Sequence, residues 1–240
     1  MLANEKDEDK SAAVKCLQSL TQHDKKFWPS ILNAGGIDKL FAILRNYANL
    51  LVKNNSPNTQ TTNHQTNAVA QAAPTVPPSA LKNAETDSQS KFNSKLLSKK
   101  ENVALNAILV LCNLSDQFEI KQSLSQINDL SSVLIKLLEY SNSEDMQSRV
   151  AILLADVATV DEKNKMSFVE QGCLNKLLTL LGSEVEDLLI NTVNAIEILC
   201  KDNVKYQNHC CEHGVIEGFI NLLELNSGIY SYFFFNNRWV

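Results

Sequence analysis

Residues 161–181 read DEKNKMSFVEQGCLNKLLTLL, and this stretch decides the fold. Its second half is apolar at Leu174 and at the positions three, four and seven residues later. That spacing is typical of one face of an amphipathic helix. Gly172 stands two positions before the apolar block, where a helix C-cap needs a residue that tolerates positive φ. The stretch therefore predicts a short helix that ends near Gly172 and a second helix that begins directly after it.

The same apolar block occurs four times along the chain. The blocks begin at Ile37, Leu130, Leu174 and Ile216. A residue that tolerates positive φ stands two positions before each of them: Gly35, Asn128, Gly172 and Gly214. The last two intervals are 44 and 42 residues, and the first is 93 residues because it holds an insertion. A recurrent period of this length is the sequence signature of a repeat array.

A third apolar helix precedes each short one. It contains an alanine that suits close helix packing, and it recurs as AVKCLQSL from Ala13, AILVLCNLS from Ala107, AILLADVA from Ala151 and AIEILCKD from Ala195. The unit is therefore three helices in about 42 residues. Because no single unit can bury its apolar faces alone, neighbouring units must stack. The sequence predicts an all-α fold built as a solenoid of three-helix repeats.

One segment of the chain has a different composition. Residues 53–98 hold four of the five prolines, are rich in Asn, Gln, Thr, Ser and Ala, and have almost no large apolar residue before Phe92. Such a segment buries too little apolar surface to offset its ordering entropy, so we predict a disordered insertion. The predicted organisation is N-terminal repeat helices in 1–52, the insertion in 53–98, further repeats in 99–225 and a non-repeat tail in 226–240.

The tail interrupts the pattern in the middle of a repeat. Residues 226–240 hold six of the 16 aromatic residues of the chain. A terminal repeat needs a polar outer face, which this tail does not supply. We expect either a fragment or an alternative splice ending of a longer protein, or a tail that folds back over the open end of the core.

Composition restricts the class of partner. The formal net charge is −5, which disfavours sequence-independent binding to nucleic acid or to an anionic membrane surface. The N-terminus MLANEKDEDK lacks the apolar region of a secretory signal, and no stretch approaches the length of a membrane span. Six scattered cysteines are expected to be reduced thiols. We therefore predict a cytoplasmic protein, with the nucleus as an alternative, that binds neither nucleic acid nor membrane.

The three-helix unit resembles the armadillo repeat family. The segments that carry the resemblance are EIKQSLSQIN from 119, DLSSVLIKLLEY from 129, KMSFVEQG from 165, CLNKLLTLL from 173, NHCCEHG from 208 and VIEGFINLL from 215. It covers about residues 5–50 and 100–225. The resemblance implies a right-handed α-solenoid that binds extended partner segments along a concave groove lined by the third helices. The last two repeats also resemble ankyrin-and-armadillo repeat-containing proteins, although the chain has no ankyrin-like segment.

The resemblance also implies contact positions on the third helices. Importin alpha proteins of this family carry a Trp and an Asn on each third helix, and these grip a peptide. The Trp position falls on Lys15, Leu109, Leu153 and Glu197, and the Asn position falls on Ser19, Asn113, Val157 and Lys201. Only Asn113 keeps its residue type, so nuclear-import cargo is not expected. The predicted contacts for a protein or peptide partner are Leu109, Asn113, Leu153, Glu197 and Lys201.

One cluster of residues has a composition suited to chemistry. His209 and His213 are four residues apart, on one face of a helix, with Cys210 and Cys211 between them. Such a set can hold zinc, or it can be a buried thiol beside surface histidines. No second ligand pair and no glycine-rich phosphate loop accompany it, so we predict no cofactor, no metal and no catalytic residue. The main hypothesis is a non-enzymatic interaction scaffold, and the alternative is a structural segment or truncated isoform of a larger ankyrin/armadillo repeat protein.

Overall fold

The computed structural model describes residues 2–23, 25–55 and 82–224. All the regular secondary structure in these ranges is helical, which confirms the predicted all-α class. Residues 56–81, at the centre of the predicted insertion, and the predicted tail, 226–240, lie outside the described residues. Within the described ranges, no helix combines the length and the apolar character that crossing a bilayer requires.

The helices follow the predicted three-helix order. The first repeat consists of α2 (Trp28–Asn33), α3 (Gly36–Asn55) and α4 (Lys82–Leu114), and it is preceded by α1 (Leu2–His23) and a 3-10 turn at Lys25–Phe27. The second repeat consists of α5 (Phe118–Ser125), α6 (Leu130–Tyr140) and α7 (Glu144–Ala158). The third consists of α8 (Glu162–Glu170), α9 (Cys173–Leu180) and α10 (Glu186–Cys200). The helices α11 (Val204–Glu212) and α12 (Val215–Glu224) begin a fourth repeat.

Equivalent helices of successive repeats pack side by side. The third helices lie in the order α1, α4, α7 and α10, and each packs against the next. The second helices α3, α6 and α9 form a parallel layer beside them. The largest fully buried side chains join the two layers, including Leu44, Leu111 and Leu134. The predicted stacking of repeats into one continuous core is therefore confirmed for the described residues.

Three of the four predicted positive-φ positions adopt that conformation. Gly35, Gly172 and Gly214 have φ values of 64°, 84° and 83°. Each sits in a turn of only two residues between a short helix and the next helix. A chain that reverses in two residues needs a left-handed residue, which glycine supplies at least steric cost.

Asn128 does not adopt positive φ, so the expectation for this residue was wrong. The only non-glycine residue with positive φ in the described ranges is Asp202, at 60°. The turn between α5 and α6 has four residues, 126–129, instead of two. In this turn the Ile127 N–H donates to the Leu124 carbonyl oxygen, and the Leu130 N–H donates to the Ile127 carbonyl oxygen. The chain therefore changes direction over two successive turns. The longer connection removes the need for a left-handed residue.

The helices that flank the insertion are longer than their counterparts. The helix α3 has 20 residues, whereas α6 and α9 have 11 and 8. The helix α4 has 33 residues, whereas α7 and α10 have 15 each. The described part of the predicted insertion, 53–55 and 82–98, is therefore helical. The sequence permits this extension because Lys82–Leu114 contains neither proline nor glycine.

Candidate functional site

One row of side chains on the third helices stays accessible after the repeats have stacked. In α7 this row consists of Asp145, Arg149, Ile152 and Asp156. They are four, three and four residues apart, which is the spacing of a single helix face. Most of the residues between them, including the fully buried Val150 and Leu154, face the core.

Equivalent positions on the neighbouring helices follow from the burial pattern. The buried positions of α4 recur in α7 after 43 residues. The N-cap and C-cap positions of α7 recur in α10 after 42 residues. The accessible row therefore crosses three helices. We call it the third-helix face: Asn106, Leu109 and Asn113 on α4; Arg149, Ile152 and Asp156 on α7; Asn191, Asn194 and Ile198 on α10.

Two of the five predicted contacts lie on this face, and a third is buried. Leu109 and Asn113 are half-buried members of the row on α4. Leu153 is fully buried, as is Val157, so neither is available to a partner. The sequence pattern pairs Ala151 with Ala107, whereas the residue equivalent to Ala107 is Val150. An error of one residue rotates a helix by about 100°, and the residues of α7 that take these positions are Ile152 and Asp156.

The two predicted contacts on α10 are exposed but lie on other surfaces. Glu197 is equivalent to Ala155, which is two turns from Ser148 and on the same side of α7. Ser148 faces α10, because its hydroxyl accepts a hydrogen bond from Asn191 Nδ2 at 2.9 Å. The side of α7 that carries Ala155 thus faces the next third helix. Glu197 lies on the equivalent side of α10, where a further third helix would stack. Lys201 is the C-cap residue of α10, at the end of the helix.

Buried hydroxyl groups hold two members of the third-helix face. Asn113 Nδ2 donates to the Thr21 hydroxyl of α1 at 3.2 Å. One repeat later, the Ser115 hydroxyl donates to the Asp156 carboxylate. Thr21 and Ser115 are both fully buried, so each contact is shielded from water. The same arrangement thus restricts the orientation of Asn113 and of Asp156.

Asp156 is the titratable group of this face with a perturbed pKa. Burial raises its pKa, while the Ser115 hydroxyl and the Lys121 ammonium group lower it by a smaller amount. Lys121, on α5, places its Nζ atom 3.4 Å from Asp156 Oδ1. Nearer the start of α7, Arg149 Nε lies 3.3 Å from Asp145 Oδ1. The charged residues of the face, Arg149 and Asp156, therefore lie on either side of the apolar Ile152 along α7, and each has an oppositely charged neighbour.

The histidine and cysteine cluster makes separate local contacts. His209 Nε2 lies 2.7 Å from Asn175 Oδ1, and His213 Nδ1 lies 2.7 Å from the His209 carbonyl oxygen. The buried Cys210 Sγ lies 3.4 Å from Cys200 Sγ, on the core side of α11. Across the described ranges, no group of three or more His, Cys, Asp and Glu side chains could hold a metal ion. The geometry matches a buried thiol beside surface histidines.

These features together define an α-solenoid of the armadillo type. The chain is similar in fold to computationally designed armadillo repeat proteins for modular peptide recognition, known from a crystal structure. The TM-score is 0.59 at 19% sequence identity, and the similarity covers 91% of this chain and 69% of that chain. No protein-family model matches the sequence, and no curated protein matches it. The similarity is one of fold, and the resemblance to ankyrin-and-armadillo repeat-containing proteins stays a prediction.

Proposed function

We propose that this chain is a non-catalytic scaffold that binds an extended peptide segment of a partner protein along the third-helix face. The observation that carries the proposal is the pair of equivalent buried contacts, Thr21 with Asn113 and Ser115 with Asp156. A side chain that is already restricted loses less entropy when it binds a partner. Two such side chains, one repeat apart, form a periodic set of polar groups for an extended backbone.

The two polar residues differ in what they offer a peptide. An amide such as Asn113 can both donate and accept hydrogen bonds, whereas an ionised Asp156 only accepts. The Asp156 carboxylate would therefore bind backbone N–H groups or a basic side chain. Leu109 and Ile152 are half-buried and lie beside these groups, so they would contact an apolar side chain of the partner.

The designed armadillo proteins of similar fold supply independent support for a peptide ligand. They are described as proteins for modular peptide recognition, and we extend that property to this chain as part of the proposal. We further propose that the protein acts in the cytoplasm and that it binds neither nucleic acid nor membrane. The net charge of −5 supports the absence of nucleic-acid binding.

A structural role is the second candidate, and a specific observation favours it. Ile216 and Ile220 of α12 have exposed fractions of 48% and 50%, whereas Leu174, the equivalent of Ile216, is buried. Apolar residues exposed in this way are suited to packing against a further helix. In this case the chain would be a segment of a larger array, and the third-helix face would have no ligand of its own.

Peptide selection on the purified chain distinguishes the two candidates. A random peptide library is selected against the wild type, and the affinities of the recovered peptides are measured by fluorescence polarisation. The double variant Leu109→Gln/Ile152→Gln should weaken binding by about tenfold or more, because it removes the apolar contact. The control is Glu197→Arg, an exposed change on another surface that should leave the affinity unaltered.

Circular dichroism must first show that all variants are equally helical. Equal affinities for the double variant and the wild type would place the ligand elsewhere and refute binding at the third-helix face. Failure to recover any peptide with measurable affinity would favour the structural role.

A further inference from the structure

A cavity of about 660 Å³ lies between α1, α3 and α4. It is lined by Lys15 of α1, Tyr47 and Leu50 of α3, and Leu96 and Lys100 of α4, among others. Its volume falls within the range of about 300–1,000 Å³ that is usual for ligand sites. This cavity touches the third-helix face only at its edge, through Asn106.

The cavity is a product of the helix extensions that flank the insertion. Its α4 residues begin at Leu96, upstream of the position where the third helices of the other repeats begin. Its α3 residues reach Leu50, beyond the length of α6 or α9. The regular repeats lack both extensions, so they cannot form the same cavity. It is a feature of this chain and not of the repeat unit.

Basic and apolar groups line the cavity together. Among the residues that the structure describes, four lysines and one glutamate contribute to its wall. The glutamate, Glu8, is 3.7 Å from Lys99 Nζ, so one of the positive charges is paired within the wall. Lys15 and Lys100 add positive charge beside apolar groups such as Leu96 and Val103. Burial and, to a smaller extent, the neighbouring Glu101 carboxylate raise the pKa of Tyr47, so its hydroxyl stays neutral.

We propose that this cavity binds an acidic segment of a partner protein that carries an apolar anchor residue. Carboxylates of the segment would pair with Lys15 and Lys100 at the rim. The anchor would pack between Leu96 and Val103. The mixed lining favours this ligand over a purely anionic one, because the apolar wall contributes affinity only when an apolar group covers it.

The charge of the ligand indicates that it comes from another protein. Residues 56–81, which connect the two extended helices, contain no Asp or Glu. Residues 225–240 also contain none, and they carry Arg238. Neither segment supplies the negative charge that the lysines require. The cavity is therefore a docking site for a partner, independent of the proposed function of the third-helix face.

A labelled synthetic peptide tests the proposal directly. The probe is a short fluorescein-labelled peptide of Glu and Leu, and binding to the full chain is measured by fluorescence polarisation at low and high salt. Two control peptides carry Lys in place of Glu, or Ser in place of Leu. The Glu–Leu peptide should bind at least about tenfold more tightly than either control, and its affinity should fall as salt rises.

Matched charge variants locate the binding. The double variant Lys15→Glu/Lys100→Glu should weaken binding of the Glu–Leu peptide by about tenfold or more. The control, Lys163→Glu/Lys205→Glu, makes the same change in net charge at exposed sites on α8 and α11 and should have a much smaller effect. Leu96→Ser, at a residue that is 38% exposed, should weaken binding without unfolding the chain.

Three outcomes would overturn the proposal. Equal losses in the two double variants would mean attraction by net charge alone. Equal binding of the Lys–Leu control would remove the basis for an acidic ligand, and an unchanged affinity in Leu96→Ser would remove the apolar anchor. The Leu109→Gln/Ile152→Gln variant should bind the Glu–Leu peptide normally, which separates this site from the third-helix face.

Discussion

Glycines at equivalent turns of the repeat illustrate how single residues control the connections. Gly172 has a φ of 84°, and a Cβ added to it would meet no atom within 4 Å. Glycine is therefore favoured at this position by the backbone conformation and not by a lack of space for a side chain. Gly36, in contrast, would bring a Cβ within 2.6 Å of Ile31 Cγ2 and 2.7 Å of the Ile31 carbonyl oxygen. Glycine is therefore needed at Gly172 for its backbone conformation and at Gly36 for lack of space, and the position equivalent to Gly36 is Cys173 or Val215 in the later repeats.

Gly172→Ala should lower the free energy of unfolding by about 1–2 kcal/mol, the usual cost of a left-handed non-glycine residue. The control is Gly182→Ala, because Gly182 does not have positive φ and an added Cβ meets only the Thr179 carbonyl oxygen at 4.0 Å. That change should be neutral or slightly stabilising. Urea unfolding followed by circular dichroism measures both values. Equal effects of the two substitutions would contradict a conformational role for Gly172.

The ion pair between Arg45 and Asp129 predicts how stability depends on pH. Arg45 Nε and Nη2 donate to the two carboxylate oxygens of Asp129 at 2.5 and 2.6 Å, which joins α3 to the start of α6. The hydrogen bonds from Arg45 are the main reason that the pKa of Asp129 is below its ordinary value of 3.8. A lowered folded-state pKa stabilises the fold above the ordinary pKa, and this stabilisation is lost as pH falls through the folded-state value.

Asp129→Asn should therefore reduce stability near neutral pH and reduce the loss of stability below about pH 4. The effect should be modest because both side chains are about 40% exposed (38% and 41%). The measurement is the free energy of unfolding against pH for wild type and variant. Asp156→Asn should have the opposite effect on the pH dependence of stability. Burial raises the pKa of Asp156, so its charge opposes folding above that pKa. Identical pH profiles for all three proteins would refute both assignments.

The second helices of the repeats show how much burial a neighbouring third helix provides. The α9 helix packs under α10, and Leu174 at its start is buried. Ile216 occupies the equivalent position of α12, where no described third helix follows, and 48% of it is exposed. The sequence pattern of the two helices is the same, so the difference arises from their surroundings.

Leu174→Ala should cost about 2–4 kcal/mol of unfolding free energy, as is usual for a truncated buried leucine. Ile216→Ala should cost less than about 1 kcal/mol, because half of that side chain is already in contact with water. Both free energies of unfolding are measured by chemical denaturation. The slope of the unfolding free energy against denaturant concentration is compared between the variants. A large cost for Ile216→Ala would mean that residues beyond α12 cover it.

For the whole molecule, stacking predicts a gradient of stability along the array. Among the described helices, the main contacts join each repeat to its neighbours, so helices in the middle are supported on two sides and those at the ends of the described array on one. Amide hydrogen exchange followed by mass spectrometry should therefore be slowest in α6 and α7. Exchange should be at least about tenfold faster in α11 and α12, where local opening requires less free energy. Uniform protection would indicate a single cooperative unit instead.

Several levels of the structure followed from the sequence alone. The period of the apolar blocks identified the three-helix unit, because amphipathic spacing depends only on helix geometry. The glycines at 35, 172 and 214 identified the tight turns, because few other residues adopt positive φ. Leu109 and Asn113 were predicted from the resemblance to importin alpha proteins, and both are half-buried residues on the accessible side of α4.

Tertiary structure decided the features that depend on neighbours. Leu153 and Ile152 are adjacent apolar residues, and only the packing of α7 between α4 and α10 determines which of them is accessible. The packing between third helices also determines that Glu197 is exposed on a surface other than the third-helix face. The cavity beside α1 depends on how far α3 and α4 extend past the regular repeat. Local periodicity defines a helix and its apolar side, whereas the contacts between helices determine which residues remain open to a partner.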